Sequence, residues 1–287
     1  MKSILVVGIK GMAGHLLYNF LLEEGSYSVF GVARGIHDHD NLFNIDVANT
    51  EKVKKLITNK KFDYIINCIG ILNNDAECNP AKAIWFNSYF PHFLEEITKN
   101  TLTKVIHIST DCVFSGKGDG GYTEESFKDG IGFYAQSKAL GEIVNNKDVT
   151  IRTSIIGPEL NVRGIGLFHW FMCQSNNALI KGFSKAFWSG ITTLELAKVI
   201  LEIIKQNITG LIQITGTNKI DKYSLLRLFN EIYRDNLVRI EGSSSYKIDK
   251  SLVSTRTDFN YPMPNYKEML LNQKDWIDKY KDLYPYY

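Results

Sequence analysis

The feature that most constrains this chain is a glycine triplet between a strand and a helix, within the first 25 residues. Ser3-Ile4-Leu5-Val6-Val7-Gly8-Ile9 is a continuous aliphatic, β-branched run, the pattern of a strand buried on both faces of a parallel sheet. Met12, Leu16, Leu17, Phe20 and Leu21 then fall on one face of a helix that stops near Gly25. Between them Gly8, Gly11 and Gly14 are spaced G-x-x-G-x-x-G. Such a turn suits a dinucleotide: the first glycine makes the tight turn, the second lets backbone approach the pyrophosphate, and the third allows close helix–strand packing. The anion rests on free N–H groups at the helix start, where Met12 begins the helix.

Further on, strand and helix keep alternating. Strands are predicted at Tyr27–Ala33, Leu42–Asp46, Phe62–Cys68, Lys104–Ser109 and Val149–Ile155. Helices are predicted around Val53–Ile57, from Pro80 to about Lys99, and over Tyr134–Val144, with a glycine-rich loop at Ser115–Gly121. This order implies an α/β, Rossmann-type doubly wound parallel sheet. After residue 155 the pattern changes. A short helix at Leu167–Gln174, a strand at Ala178–Phe183, a capped helix from Thr192 to Gln206, a strand at Leu211–Thr215, a helix at Tyr223–Tyr233 and an irregular aromatic tail suggest a smaller α+β region. Residues 1–155 are expected to form a dinucleotide-binding domain. Residues 156–287 are expected to form a substrate region, with some segments returning to the first domain.

Bulk properties narrow the partners. A formal charge of +2 gives no broad basic field, so neither nucleic acid nor an anionic membrane surface is expected. No segment approaches the ~20 apolar residues needed to span a bilayer. Cys68, Cys78, Cys112 and Cys173 lie far apart without metal-type spacing, as suits reduced thiols in a cytoplasmic protein. No metal site is expected.

At the end of the second strand, where NAD-type sites carry an acidic residue on the ribose hydroxyls, this chain has Arg34, with Lys10 in the glycine loop. Two cations there fit a 2′-phosphate. NADPH/NADP is therefore expected ahead of NADH. Asp46-Val47 follows the third strand, in position to meet the adenine.

Tyr134 and Lys138 lie four apart on a predicted helix, hence on one face. A tyrosine near an ammonium can give its proton to a carbonyl oxygen as hydride reaches the carbon, and the lysine can also hold the nicotinamide ribose. Ser109-Thr110-Asp111 ends the fifth strand, at the sheet edge where doubly wound folds bind ligands. There the Thr110 hydroxyl can share the substrate oxygen with Tyr134.

Together these segments resemble the extended short-chain dehydrogenase/reductases, and within them the dTDP-4-dehydrorhamnose reductase family. The resemblance rests on Val7–Gly14, Ile108–Gly116, Tyr134–Glu142 and Ile151–Ser154, with weaker echoes at Ser189–Ala197 and Asp249–Leu252. It implies that Thr110, Tyr134 and Lys138 form a catalytic triad and that Asp111 shapes the substrate site. Later segments, Arg152 among them, would meet the sugar nucleotide. The implied reaction is NADPH-dependent reduction of the C4 ketone of a 4-keto-6-deoxyhexose. The sugar would be dTDP-linked or a UDP-linked N-acetyl sugar, made for deoxysugar or surface-polysaccharide biosynthesis. Departures from the family pattern stand at Cys112, Ala135 and Ile155.

Cys112 is two residues beyond Thr110 and on the same face if the strand continues. The similar GDP-fucose synthases use a cysteine for epimerisation, so C3 epimerisation through Cys112 is a secondary expectation. It requires surroundings that favour a thiolate and a second acid, for which His169 and Lys181 are candidates. The blander reading of Cys112 is a small buried side chain. His15 reads as a helix-surface residue and His107 as core. Trp85, Phe86, Tyr89 and Phe90 read as core or as packing in a homodimer. The alternative from another class is a non-catalytic NADP-binding regulatory subunit like that of methionine adenosyltransferase, which need not keep Tyr134 and Lys138.

Overall fold

Alternate residues of the first strand feed opposite layers: Ile4 and Val6 pack into one apolar cluster, Leu5 and Val7 into another. All four are at most 2% exposed, which is why the run carries no polar residue. In the computed structural model, which describes residues 1–285 and 287, twelve strands and ten α-helices follow. The main sheet uses β1 (Ser3–Val7), β2 (Ser28–Ala33), β3 (Leu42–Asn44), β4 (Tyr64–Asn67), β5 (Lys104–Thr110), β6 (Val149–Thr153) and β10 (Gly210–Gln213). The others are β7 (Ile155–Ile156), β8 (Leu179–Trp188), β9 (Ile191–Thr192), β11 (Ile220–Asp221) and β12 (Arg239–Asp249). The helices are α1 (Met12–Glu24), α2 (Thr50–Lys60), α3 (Asn73–Cys78), α4 (Pro80–Ala83), α5 (Phe90–Thr98), α6 (Phe133–Leu140), α7 (Leu167–Met172), α8 (Thr193–Lys205), α9 (Lys222–Tyr233) and α10 (Tyr266–Lys279). A π-helical turn at Ile84–Tyr89 joins α4 to α5.

The seven-stranded sheet has the order β10-β6-β5-β4-β1-β2-β3, and every pairing is parallel. This is the doubly wound Rossmann arrangement. Strand order reverses between β1 and β4, which opens a crevice at their carboxyl ends. In register, Val7 pairs with Asn67 and Asn67 with His107. That row lies where β1 and β4 end, while β5 runs on to Thr110. The remaining strands form a three-stranded sheet, β11-β8-β12, and the pair β7-β9. No helix among the described residues is long and apolar enough to cross a membrane.

Several local expectations change. The strand expected at Ala178–Phe183 runs from Leu179 to Trp188, because β12 pairs along nearly its whole length. The helix expected to reach Val144 stops at Leu140, since Gly141 sits against the π-turn so closely that a Cβ would lie 1.8 Å from the Asn87 carbonyl oxygen. The tail expected to be irregular holds β12 and the fourteen-residue α10. His15 is 2% exposed and buried, not on the helix surface: Nδ1 bonds the Gly11 carbonyl at 2.8 Å and Nε2 the Tyr284 hydroxyl at 2.8 Å. As expected, the Thr192 hydroxyl caps α8 by accepting from Glu195 N at 3.2 Å.

Candidate active site

Gly8 has φ +96°, a conformation that glycine adopts without strain. A Cβ on Gly14 would lie 2.3 Å from the Gly8 carbonyl oxygen, whereas one on Gly11 would meet only that oxygen, at 3.4 Å. So Gly14 seats α1 against the turn and Gly11 leaves open space in front of it. Gly11 is the N-cap of α1 and provides no side-chain acceptor, so the first amides of the helix remain donors for an anion. Lys10 Nζ donates to the Arg34 carbonyl at 3.3 Å, and Arg34 Nη1 lies 3.4 Å from Asp46 Oδ2. The two cations expected near the adenosine ribose are thus together, with Asp46 beside them. Val47 is 4% exposed and packs its side chain into the core. The cradle fits a phosphorylated dinucleotide.

Across the crevice, α6 carries Tyr134 and Lys138. It has no cap of its own, since Gly132 precedes it with φ +92°. Glu77 of α3 supplies the cap: Oε2 accepts from Phe133 N and Oε1 from Tyr134 N, each at 3.1 Å. A carboxylate there also suits the positive end of the helix dipole. The π-turn grips the other side, with Asn87 Nδ2 donating to Ser137 Oγ at 3.0 Å and Ser88 Oγ to the Ser137 carbonyl at 2.7 Å. π-turns of this kind recur at functional sites. Neither Glu77 nor Asn87 stood out in the sequence, because their partners are distant in the chain.

The Tyr134 hydroxyl lies beside Thr110, whose Oγ1 lies 3.2 Å from Asp111 Oδ1 and accepts from Cys112 N at 3.1 Å. Burial, with Cys112 and Asp111 adding to it, pushes the phenol well above its ordinary range. Tyr134 is therefore a protonated acid at neutral pH. Lys138 is 3% exposed; its Nζ donates to the Ile108 carbonyl at 2.6 Å and lies 3.3 Å from His107 Nε2. Burial pulls it down to about 8, against the opposing pull of Glu142 and Cys68. Thr110, Tyr134, Lys138, Asp111 and Cys112 are thus brought together at the end of β5.

Two expectations fail here. Arg152, expected at the sugar nucleotide, is 1% exposed and held by Glu142, with Nε to Oε1 at 2.9 Å and Nη2 to Oε2 at 2.8 Å. Its guanidinium also lies 5.0 Å from the Phe114 ring centroid, so the side chain braces β6 against the segment after α6. Nor does Cys112 sit where a thiolate is favoured: burial and the Asp111 carboxylate push the thiol up to about 11. Of the acids named for it, His169 is bound to Tyr287 at 3.0 Å.

A residue missed in the sequence lies nearer. Lys222, the first residue of α9, sits 5.1 Å over the Trp188 ring and interacts with both Asp111 and Cys112. Burial pulls it down to about 8. Lys250 adds a second positive charge facing Asp111, whose carboxyl is nonetheless raised by its own burial. Nothing in the sequence singles out Lys222, because the groups that define its place, Asp111, Cys112 and Trp188, lie far along the chain.

The family described as "RmlD substrate binding domain" matches residues 1–235. A probable low-salt glycan biosynthesis reductase of Haloferax volcanii is 25% identical over 88% of this chain and 87% of its own length. A dTDP-4-dehydrorhamnose reductase of Aggregatibacter actinomycetemcomitans is 28% identical over 54% of this chain, and the match spans 51% of that protein. In structure, the chain is similar to a dTDP-4-dehydrorhamnose reductase of Bacillus anthracis solved with NADP, at a TM-score of 0.79 and 19% identity, over 96% of this chain and 99% of that one. At that identity the likeness is one of fold.

Proposed function

The chain belongs to the RmlD substrate binding domain family, and on that premise we propose that it is an NADP(H)-dependent reductase of the C4 ketone of a nucleotide-linked 4-keto-6-deoxy sugar. The observation that carries the reading is Tyr134 set beside Thr110, with Lys138 buried one helical turn on and bound to β5. Residues 1–155 hold the dinucleotide and residues 156–287 most of the sugar nucleotide. Gly8, Gly11, Gly14 and the amide of Met12 take the pyrophosphate. Lys10 and Arg34 take the 2′-phosphate, and Asp46 with the backbone of Val47 borders the adenine.

When bound, the nicotinamide supplies hydride to the sugar carbon. Thr110 orients the ketone by hydrogen bonding, and Tyr134 passes its phenolic proton to the ketone oxygen. Lys138, one helical turn on from Tyr134, then favours the phenolate left behind when charged. Lys222 and Asp111 face the same space and bind polar groups of the sugar. The named activity of the Aggregatibacter relative and the NADP held by the Bacillus neighbour support dTDP as the nucleotide and NADP(H) as the cofactor. A regulatory subunit would have no use for a tyrosine set beside Thr110 with a buried lysine one turn on. Coupled C3 epimerisation would ask for a thiolate at Cys112, which burial and the Asp111 carboxylate disfavour, so we favour simple reduction.

The test is loss of NADPH absorbance with freshly made dTDP-linked and UDP-N-acetyl-linked 4-keto-6-deoxy sugars. Oxidation with the dTDP substrate, reduced ~10²–10⁴-fold in Tyr134→Phe, supports the reading. NADPH that binds tightly yet is consumed with neither sugar would refute it.

A further inference from the structure

His107 is fully buried on β5 and read from the sequence as a core residue, yet both its ring nitrogens are engaged. Nδ1 lies 3.1 Å from Asn67 Nδ2, and Nε2 lies 3.3 Å from Lys138 Nζ. The direction of the first bond follows from a neighbour. Ile69 N, a backbone donor, points at Asn67 Oδ1 at 3.1 Å, so the oxygen of that amide must face Ile69 and its NH₂ must face His107. Nδ1 is then the acceptor. Burial, with the charge of Lys138 added, keeps the imidazole far below its ordinary range, so the ring is neutral and carries its one proton on Nε2.

That proton points at Lys138. An Nε2–H can donate to the lone pair of a neutral amine and to nothing on an ammonium. We propose that His107 is a positioning residue for Lys138: with its tautomer set by Asn67, it holds out Nε2–H to Nζ and so favours the uncharged amine. When Lys138 is charged, the imidazole must move its proton to Nδ1 to accept from Nζ, and Nδ1–H then meets the Asn67 NH₂ donor to donor. Protonation of Lys138 therefore costs the Asn67 bond. The consequence is a lower pH at which Lys138 loses its charge, and with it the support for the phenolate of Tyr134.

The groups facing Nζ are few. The Ile108 carbonyl and His107 lie on β5, Glu142 follows α6 and Cys68 follows β4, with His92 of α5 behind His107. Glu142 is already bound to Arg152 and Lys128. Among the described residues, the orientation of Asn67 fixes a proton donor toward Lys138.

The inference extends the reductase reading but is judged apart from it. Lysine labelled with ¹³C at Cε, assigned by loss of the signal in Lys138→Arg, reports the titration of Lys138 in the full chain with and without NADP and with no substrate. In His107→Gln the amide can turn its oxygen to the ammonium, and the Lys138 midpoint is expected to rise by about one pH unit or more. Asn67→Asp presents two acceptors, frees Nδ1–H, and is expected to raise it as well. Midpoints that stay within a few tenths of a unit in both folded variants would overturn the inference, since a packing role moves stability and not titration. The wild-type protein gives an independent reading. Imidazole ¹⁵N shifts should show the Nε2–H tautomer of His107 above the Lys138 midpoint, and Nδ1–H at all pH values would overturn it. If the ¹⁵N and ¹³C results hold while no keto sugar is reduced, the reductase reading fails and the coupling of Asn67, His107 and Lys138 stands.

Discussion

The carboxylate of Glu142 and the guanidinium of Arg152 meet through two parallel hydrogen bonds of 2.9 and 2.8 Å, with both side chains 1% exposed. Glu142 also accepts from Ser109 Oγ at 2.8 Å and from Lys128 Nζ at 3.1 Å. One carboxylate therefore ties β5, β6 and the segment after α6 together, directly behind Thr110. Removing one member leaves the other charge buried without its partner, whereas replacing both can be nearly neutral. Arg152→Met is expected to destabilise the protein by about 3–5 kcal/mol, and Arg152→Met with Glu142→Leu by much less. Urea unfolding of the two single variants and the double decides it. Equal losses in the single and double variants would show that Arg152 is needed for something other than Glu142.

The last two glycines of the first loop should fail differently. Gly14→Ala puts a methyl 2.3 Å from backbone, and is expected to cost about 1–3 kcal/mol of stability together with NADPH binding. Gly11→Ala meets its nearest atom at 3.4 Å and should keep its stability while weakening NADPH at least tenfold. Thermal unfolding beside a binding titration separates the two. A Gly11→Ala protein that binds NADPH normally would remove the pyrophosphate from this turn.

Arg34 is 70% exposed at its side chain, and its ion pair with Asp46 is 3.4 Å long. Such a pair is worth at most ~1 kcal/mol, so the guanidinium is free to exchange it for a 2′-phosphate. Arg34→Ser is expected to weaken NADPH about tenfold, the lower end of a charge-assisted hydrogen bond, and to leave NADH unchanged. Parallel titrations with both cofactors measure this, and equal losses for the two would end the assignment.

His15 makes stability depend on pH. Burial pulls it down to about 4, although the Gly11 and Met12 backbone oppose this, while in the unfolded chain it titrates near 6.5. Between those values the unfolded state binds the extra proton, so the contribution is fully present above pH 6.5 and is lost as pH falls toward 4. It amounts to about 3 kcal/mol at most. The slope of unfolding free energy over that window should flatten in His15→Gln, carboxylate titrations being common to both proteins.

What could be read from the sequence follows physical range. The buried strands, the glycine cradle and the Tyr134/Lys138 pair are local, because each depends on residues within a turn or a strand of one another. β12 is not. Its Arg239–Asp249 stretch holds glycine and three serines in a row and shows no alternation; it is a strand because β8 pairs with it. α10 did leave a local mark, since Asn265 caps Glu268 N at 3.0 Å with the spacing that opens a helix, but the prolines before it and its mixed aromatic and lysine content hid the periodicity. In the site, Lys222, Glu77 and the acceptor role of His107 escaped notice because the partner that defines each lies far along the chain.

The hydrogen bond between His15 and Tyr284 joins positions 269 residues apart, and His15 also holds the Gly11 carbonyl of the cofactor turn. On a ribosome adding ~5–20 residues per second, the turn leaves the exit tunnel on the order of half a minute before residue 284 is made. During that interval the nascent protein carries its nucleotide cradle without the brace that steadies it. A polypeptide interrupted just before Tyr284 would have every strand of its main sheet and a loosened grip on cofactor, so the cradle depends on a side chain made 269 positions after His15.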